Sequence, residues 1–167
     1  MNWQNKLTEQ NLNLPYLVLY SASAKDANAT VLKREDLELE FIMDKVTYWY
    51  STNNLEEAYY LSAVLNSETP NLMMKDFQSK GLFGARDVSK KILDIYYPRY
   101  DAVVESHKQL AELGWLCHEK TAQYLRNTPP PAPLSGMHLG KLRLAIKRHL
   151  AKELKEVDQL VKKLIAG

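Results

Sequence analysis

The chain has 167 residues, a formal charge of +2 at neutral pH, 46% hydrophobic residues and 25% charged ones. That suits one globular domain large enough to bury a core without staples, perhaps with an appended helix. The lone Cys117 excludes an intrachain disulfide and fits a reducing cytoplasm, and no apolar run approaches the roughly 20 residues that span a bilayer.

The N-terminal stretch MNWQNKLTEQN lacks the apolar centre of a signal peptide, and Trp3 and Leu7 could anchor a short helix there. Leu14 to Ala22, LPYLVLYSA, is rich in β-branched and aromatic residues and predicts a strand. SAKDANA is a small-residue turn, and Thr30 to Lys33 predicts a second short strand. Phe41 to Thr52 predicts a third, with a turn at Asp44-Lys45. Tyr48 and Tyr50 fall on one side of it and Thr47 and Trp49 on the other.

The period then changes. Thr52 or Asn53 is placed to cap a helix whose first turn holds Glu56 and Glu57, and Asn66-Ser67 ends it. Pro70 to Phe77 predicts a second, short helix opened by proline. A glycine-bearing basic loop follows, FQSKGLFGARDVSKK, from Phe77 to Lys91. Ile92 to Tyr97 then reads as an edge strand stopped by Pro98.

Ala102 to Arg126 predicts a long helix. TPPPAPLSG, Thr128 to Gly136, is a semi-rigid linker. From Leu139 to Ile165 apolar residues recur every three or four positions, which predicts one amphipathic helix about 40 Å long. It would pack antiparallel on the 102–126 helix or pair with a partner helix, including one from a second copy of the chain. Strands first and helices after predict an α+β fold: a small mixed or antiparallel sheet with helices, then two long C-terminal helices. The expected divisions are residues 1–127, a linker at 128–136 and a C-terminal helix over 137–167.

Charge is unevenly spread. Lys33 to Glu57 holds three basic residues against seven acidic, Lys75 to Arg99 six against three, and Lys141 to Lys163 eight against three. A locally basic second half suits a polyanionic partner, and it also suits a solvated lysine-rich helix face.

Motifs for catalysis are missing. There is no P-loop, no GxGxxG and no GxSxG. His107, His118, His138 and His149 lack paired metal-ligand spacing and read as helix-surface residues. His107 and His118 are eleven apart, three turns along one helix. Cys117 reads as a small core residue, and the Glu38/Glu40 and Glu56-Glu57 pairs are accounted for by strand-surface and helix-start roles. Neither a cofactor nor a metal is expected. Binding candidates remain. In the basic loop, Gln78, Ser79 and the backbone amides of Gly81 and Gly84 can donate to phosphates or base edges, and Lys80, Arg86, Lys90 and Lys91 supply charge. Arg86 can read guanine bidentately. Phe83 either stacks on bases or plugs the core.

These residues carry a resemblance. The strand, the EAxYLxAxLNS-type helix (EAYYLSAVLNS here) and QSxGLFGxRD (QSKGLFGARD here) resemble the C-terminal target-recognition region of restriction-modification DNA adenine methyltransferases, with a TaqI-type specificity domain. The LYxAS segment and the LAELG…CHEK helix are also similar, so the resemblance spans residues 3–126 and, more loosely, the basic final helix. It implies a module that binds double-stranded DNA through Gln78 to Lys91. No S-adenosylmethionine loop and no Asn-Pro-Pro-Tyr/Phe motif occurs in the sequence. The chain is therefore expected not to methylate alone but to serve a methyltransferase catalytic subunit or domain, as a fragment, a split subunit or a remnant.

Overall fold

The computed structural model describes residues 8–21, 27–43, 47–73, 80–81, 84–85 and 98–166. Three strands, β1 (Tyr16–Ser21), β2 (Thr30–Lys33) and β3 (Thr47–Thr52), form an antiparallel sheet in the order β2-β1-β3. The register sets Val18 opposite both Val31 and Tyr50, and Tyr20 opposite Tyr48. Side chains alternate across a strand, so Tyr16, Val18 and Tyr20 share one face with Val31, Tyr48 and Tyr50. The Tyr20 and Tyr48 rings meet at 5.5 Å as a cross-strand aromatic pair.

Helix α1 (Leu55–Asn66) lies on that face through Ala58, Tyr59, Leu61 and Leu65. Its opposite side, Tyr60, Ala63 and Val64, packs against Leu110 and Ala111 and against Val157 and Val161. Every residue from Ala58 to Leu65 is therefore buried. A helix enclosed on all sides is a core helix, and here it is the middle of three layers. Its cap is Asn54, one residue beyond the positions expected to cap it. The Asn54 carboxamide oxygen accepts from the backbone amides of Glu56 and Glu57 at 3.0 and 3.3 Å. Thr52 stays in β3, and its hydroxyl accepts from the Asn54 amide.

A short helix α2 (Glu68–Met73) follows, starting two residues before Pro70. The expected turn at Asp44-Lys45 and the edge strand at Ile92 to Tyr97 fall outside the described residues.

The third layer is α3 (Glu105–Asn127) with α5 (Ala151–Ala166). The start of α3 has no side-chain cap. Instead the His107 ring reaches back, and its Nδ1 accepts from the Asp101 amide at 3.0 Å. His107 is buried, 4.9 Å from the Tyr60 ring, so it is not the surface residue its sequence context suggests. The Tyr60 hydroxyl donates to the Pro98 carbonyl at 2.6 Å, and the Tyr100 hydroxyl donates to Glu56. This aromatic cluster fastens the entry to α3 onto α1.

The single C-terminal helix expected from Leu139 to Ile165 is two helices, α4 (Gly136–His149) and α5, broken at Leu150. Leu150 has φ −95° and ψ 12°, in the bridge region of backbone space. Its side chain is buried, and its amide still donates to the Ile146 carbonyl at 3.0 Å. The elbow lets α5 lay Val157 and Val161 on α1 and α3, while α4 turns away with no buried residue. Lys120 on α3 meets Glu153 at the start of α5, whereas Leu110 and Ala111 cluster with Val157 and Val161 further along. That order makes α5 antiparallel to α3. The fold is α+β, a small antiparallel sheet followed by long C-terminal helices.

Candidate nucleic-acid interface

Lys80-Gly81 (β4) and Gly84-Ala85 (β5) pair antiparallel, with Gly81 opposite Gly84 and Lys80 opposite Ala85. The GxxG portion of the basic loop is thus a β-hairpin whose paired backbones are glycines at its inner rung. Gln78, Ser79, Phe83, Arg86, Lys90 and Lys91 lie outside the described residues.

A second cationic element is clearer in the structure. Between Glu119 and Glu153 the chain has no Asp or Glu, yet it carries Lys120, Arg126, Lys141, Arg143, Lys147, Arg148 and Lys152. Seven of the 22 basic residues therefore sit in a run with none of the 20 acidic ones, so the rest of the chain is net acidic. The run covers the end of α3, the proline-rich connection, all of α4 and the first turn of α5. All of these cations except Lys120 are exposed. Counting only basic residues hides this run; counting where acids are absent reveals it.

Packing extends the effect into α5, because two of its three acids face inward. Glu153 is buried and receives an ion pair from Lys120. That hydrogen bond holds its carboxyl below the ordinary value. Asp158 accepts from the Glu68 backbone amide at 2.6 Å, and burial pushes its carboxyl up. Glu156, Lys155, Lys162 and Lys163 stay exposed. On α4, Met137, Lys141, Leu144 and Arg148 recur at i, i+4, i+7 and i+11 and are all exposed, so one outward stripe mixes apolar and cationic side chains.

The Lys120–Glu153 pair carries a stability prediction. Lys120→Met leaves a buried carboxylate without its cation, which is expected to cost about 1–3 kcal/mol, less than for a fully buried pair because Lys120 is partly exposed. Glu153 has a depressed folded-state value, so its stabilisation is complete above the ordinary 4.5 and fades as the pH falls below it. Urea unfolding at pH 7 and pH 4 should show the wild type losing more stability across that interval than Glu153→Gln does. Equal losses would contradict the pairing.

Among the described residues no group of three or more His, Cys, Asp or Glu could hold a metal ion, and no helix is long and apolar enough to cross a membrane. Burial, with Glu153 nearby, pushes the Cys117 thiol up to about 11, well above a nucleophilic range. Comparison with protein-family models, with curated proteins and with solved structures finds no match.

Proposed function

We propose that the chain is a DNA-binding target-recognition module of a restriction-modification adenine methyltransferase, working in the cytoplasm and without catalysis of its own. The observation that carries this reading is the exposed, acid-free cationic run through α4. Duplex DNA presents a dense row of phosphates, and lysines and arginines that meet it release counterions without needing a defined base sequence. In this reading the run positions the duplex, and the β4–β5 hairpin with Arg86 reads base edges in a groove. The resemblance of QSKGLFGARD and the preceding helix to the specificity region of such enzymes supports that division of labour. The catalytic part, which would flip the target adenine, belongs to a separate chain or domain.

The test is selection from a pool of random-sequence duplexes by the full chain. Enrichment of a short motif, lost with Arg86→Ala while bulk DNA retention persists, is the expected result. Retention of duplexes with no enrichment of any motif would remove target recognition from the proposal.

The outward stripe of α4 favours one other reading, a protein-interaction or oligomerisation surface. Met137 and Leu144 are 65% and 58% exposed. Deleting residues 137–167 would not test it, because α5 supplies Val157 and Val161 to the core. Light scattering of the full chain is the discriminating measurement. A dimer that Met137→Lys with Leu144→Lys dissociates, together with absent DNA binding, would favour this reading.

A further inference from the structure

The acid-free run has a mirror image elsewhere in the chain. Over residues 35–44 the acids Glu35, Asp36, Glu38, Glu40 and Asp44 occur with no Lys or Arg among them. The first four are exposed, and among the described residues none of their carboxylates forms an ion pair. Apolar side chains stand exposed between and beside them: Leu39 is 84% exposed, Ile42 is 50% exposed, and Phe41 is exposed as well. Single exposed apolar residues are ordinary on a soluble protein, whereas a contiguous group set among charges marks an interaction surface.

The fold holds this segment in one shape. A turn of 3-10 helix, Arg34–Asp36, opens it. The Arg34 guanidinium donates from Nε to the Leu14 carbonyl at 3.1 Å and from Nη1 to the Phe41 carbonyl at 2.9 Å. That cation is therefore spent on the backbone and not on the neighbouring acids. At the far end the Gln10 carboxamide donates to the Met43 carbonyl and accepts from the Met43 amide, both at 2.8 Å, and Met43 is buried. Fastened at both ends, the acids and the apolar side chains meet a partner with little ordering cost.

The complementary surface belongs to the same chain. The outward stripe of α4 sets Lys141 and Arg148 beside Met137 and Leu144, and no acid interrupts it. Both surfaces are exposed in one molecule, so neither covers the other within it. Between two molecules, apolar side chains can face apolar ones while acids face bases. Such complementarity fixes register and rejects like-charged pairings. Each copy offers one acidic and one basic surface, so a two-fold arrangement makes the contact twice.

We propose that two copies of the chain dock reciprocally, the 35–42 surface of each against the outward stripe of the other copy's α4. Lys141 and Arg148 also belong to the run assigned to duplex DNA, so a second copy and a duplex exclude each other on α4. The docking does not depend on DNA recognition and is measured with no DNA present.

Sedimentation velocity of the full chain at about 100 μM and about 0.1 M salt, where surface charges are only partly screened, should show a dimer. Glu38→Lys with Glu40→Lys reverses the acidic surface, and Lys141→Glu with Arg148→Glu reverses the basic one. Each double variant alone should weaken dimerisation about 100-fold, because like charges then meet at both contacts. Mixed in equal amounts, the two variants should form a heterodimer, because a basic surface again meets an acidic one at both contacts. Circular dichroism establishes that each variant is folded. If a reversed variant fails to fold, Leu39→Ser with Leu144→Ser, both at exposed positions, should weaken the dimer about ten-fold. A monomeric wild type, a dimer that survives either reversal or the apolar changes, or a mixture of folded variants that stays monomeric would each overturn the proposal.

Discussion

Gly114→Ala is expected to lower the thermal midpoint by roughly 2–8 °C, corresponding to about 1–2 kcal/mol for a domain of this size. Gly114 is buried on α3 where that helix crosses α1. A Cβ built there would lie 2.3 Å from the Tyr59 carbonyl oxygen and 3.0 Å from its carbon. Those are backbone atoms of a helix fixed between two layers, so no side-chain rotation relieves the clash. Two effects compete. Alanine in place of glycine in a helix gains about 1 kcal/mol, and overpacking a closely fitted core costs about 1–3 kcal/mol, occasionally more. At 2.3 Å the helices must separate, which also weakens the contacts of Leu110, Ala63 and Val64. Overpacking therefore prevails. Gly140, inside α4, is the control, because a Cβ there meets nothing within 4 Å. Gly140→Ala should stabilise by about 0.5–1 kcal/mol. Differential scanning calorimetry of both variants checks the pair. An unchanged midpoint for Gly114→Ala would mean that α1 and α3 are further apart than described.

Charge reversal of the outward face is the second large effect. Lys141→Glu, Arg148→Glu and Lys152→Glu together should weaken duplex binding by roughly a thousand-fold at about 0.1 M salt, since each exchanges a phosphate attraction for a repulsion. The three residues are exposed, so the fold should be unaffected. Fluorescence anisotropy with a labelled duplex, alongside circular dichroism, reads both. Undiminished binding by a folded triple variant would move the phosphate contacts away from α4 and the start of α5.

Much of the architecture was readable in the sequence because its periodicities are strong. LPYLVLYS is rich in β-branched and aromatic residues and TYWYST alternates, and β2 falls on the expected Thr30 to Lys33, whereas Phe41 to Met43, expected to open the third strand, lie outside β3. The faces expected for Tyr48 and Tyr50 follow from the same alternation. The elbow at Leu150 was not readable. No proline or glycine marks it, and the apolar stripe of Leu142, Ile146, Leu150, Leu154 and Val157 continues through the break. Tertiary packing chooses the break, since only a turned chain buries Leu150 and sends α5 back along α3. The burial of His107 escapes the local sequence for a related reason: its neighbours Lys108 and Gln109 are polar, but its own ring packs against Tyr60. The candidate interface was half legible. The basic loop stands out by composition, whereas the acid-free run emerges only when Arg126, the linker and α4 are considered together. The inward turn of Glu153 and Asp158 depends on contacts with Lys120 and Glu68 that no local pattern encodes.

The salt dependence of duplex binding by the wild-type chain tests the central claim most directly. If the exposed cations of the acid-free run meet phosphates, a plot of log affinity against log salt should be linear with a slope of about −4 to −6. Absence of duplex binding at about 50 mM salt, or a slope near zero, would contradict the proposed interface.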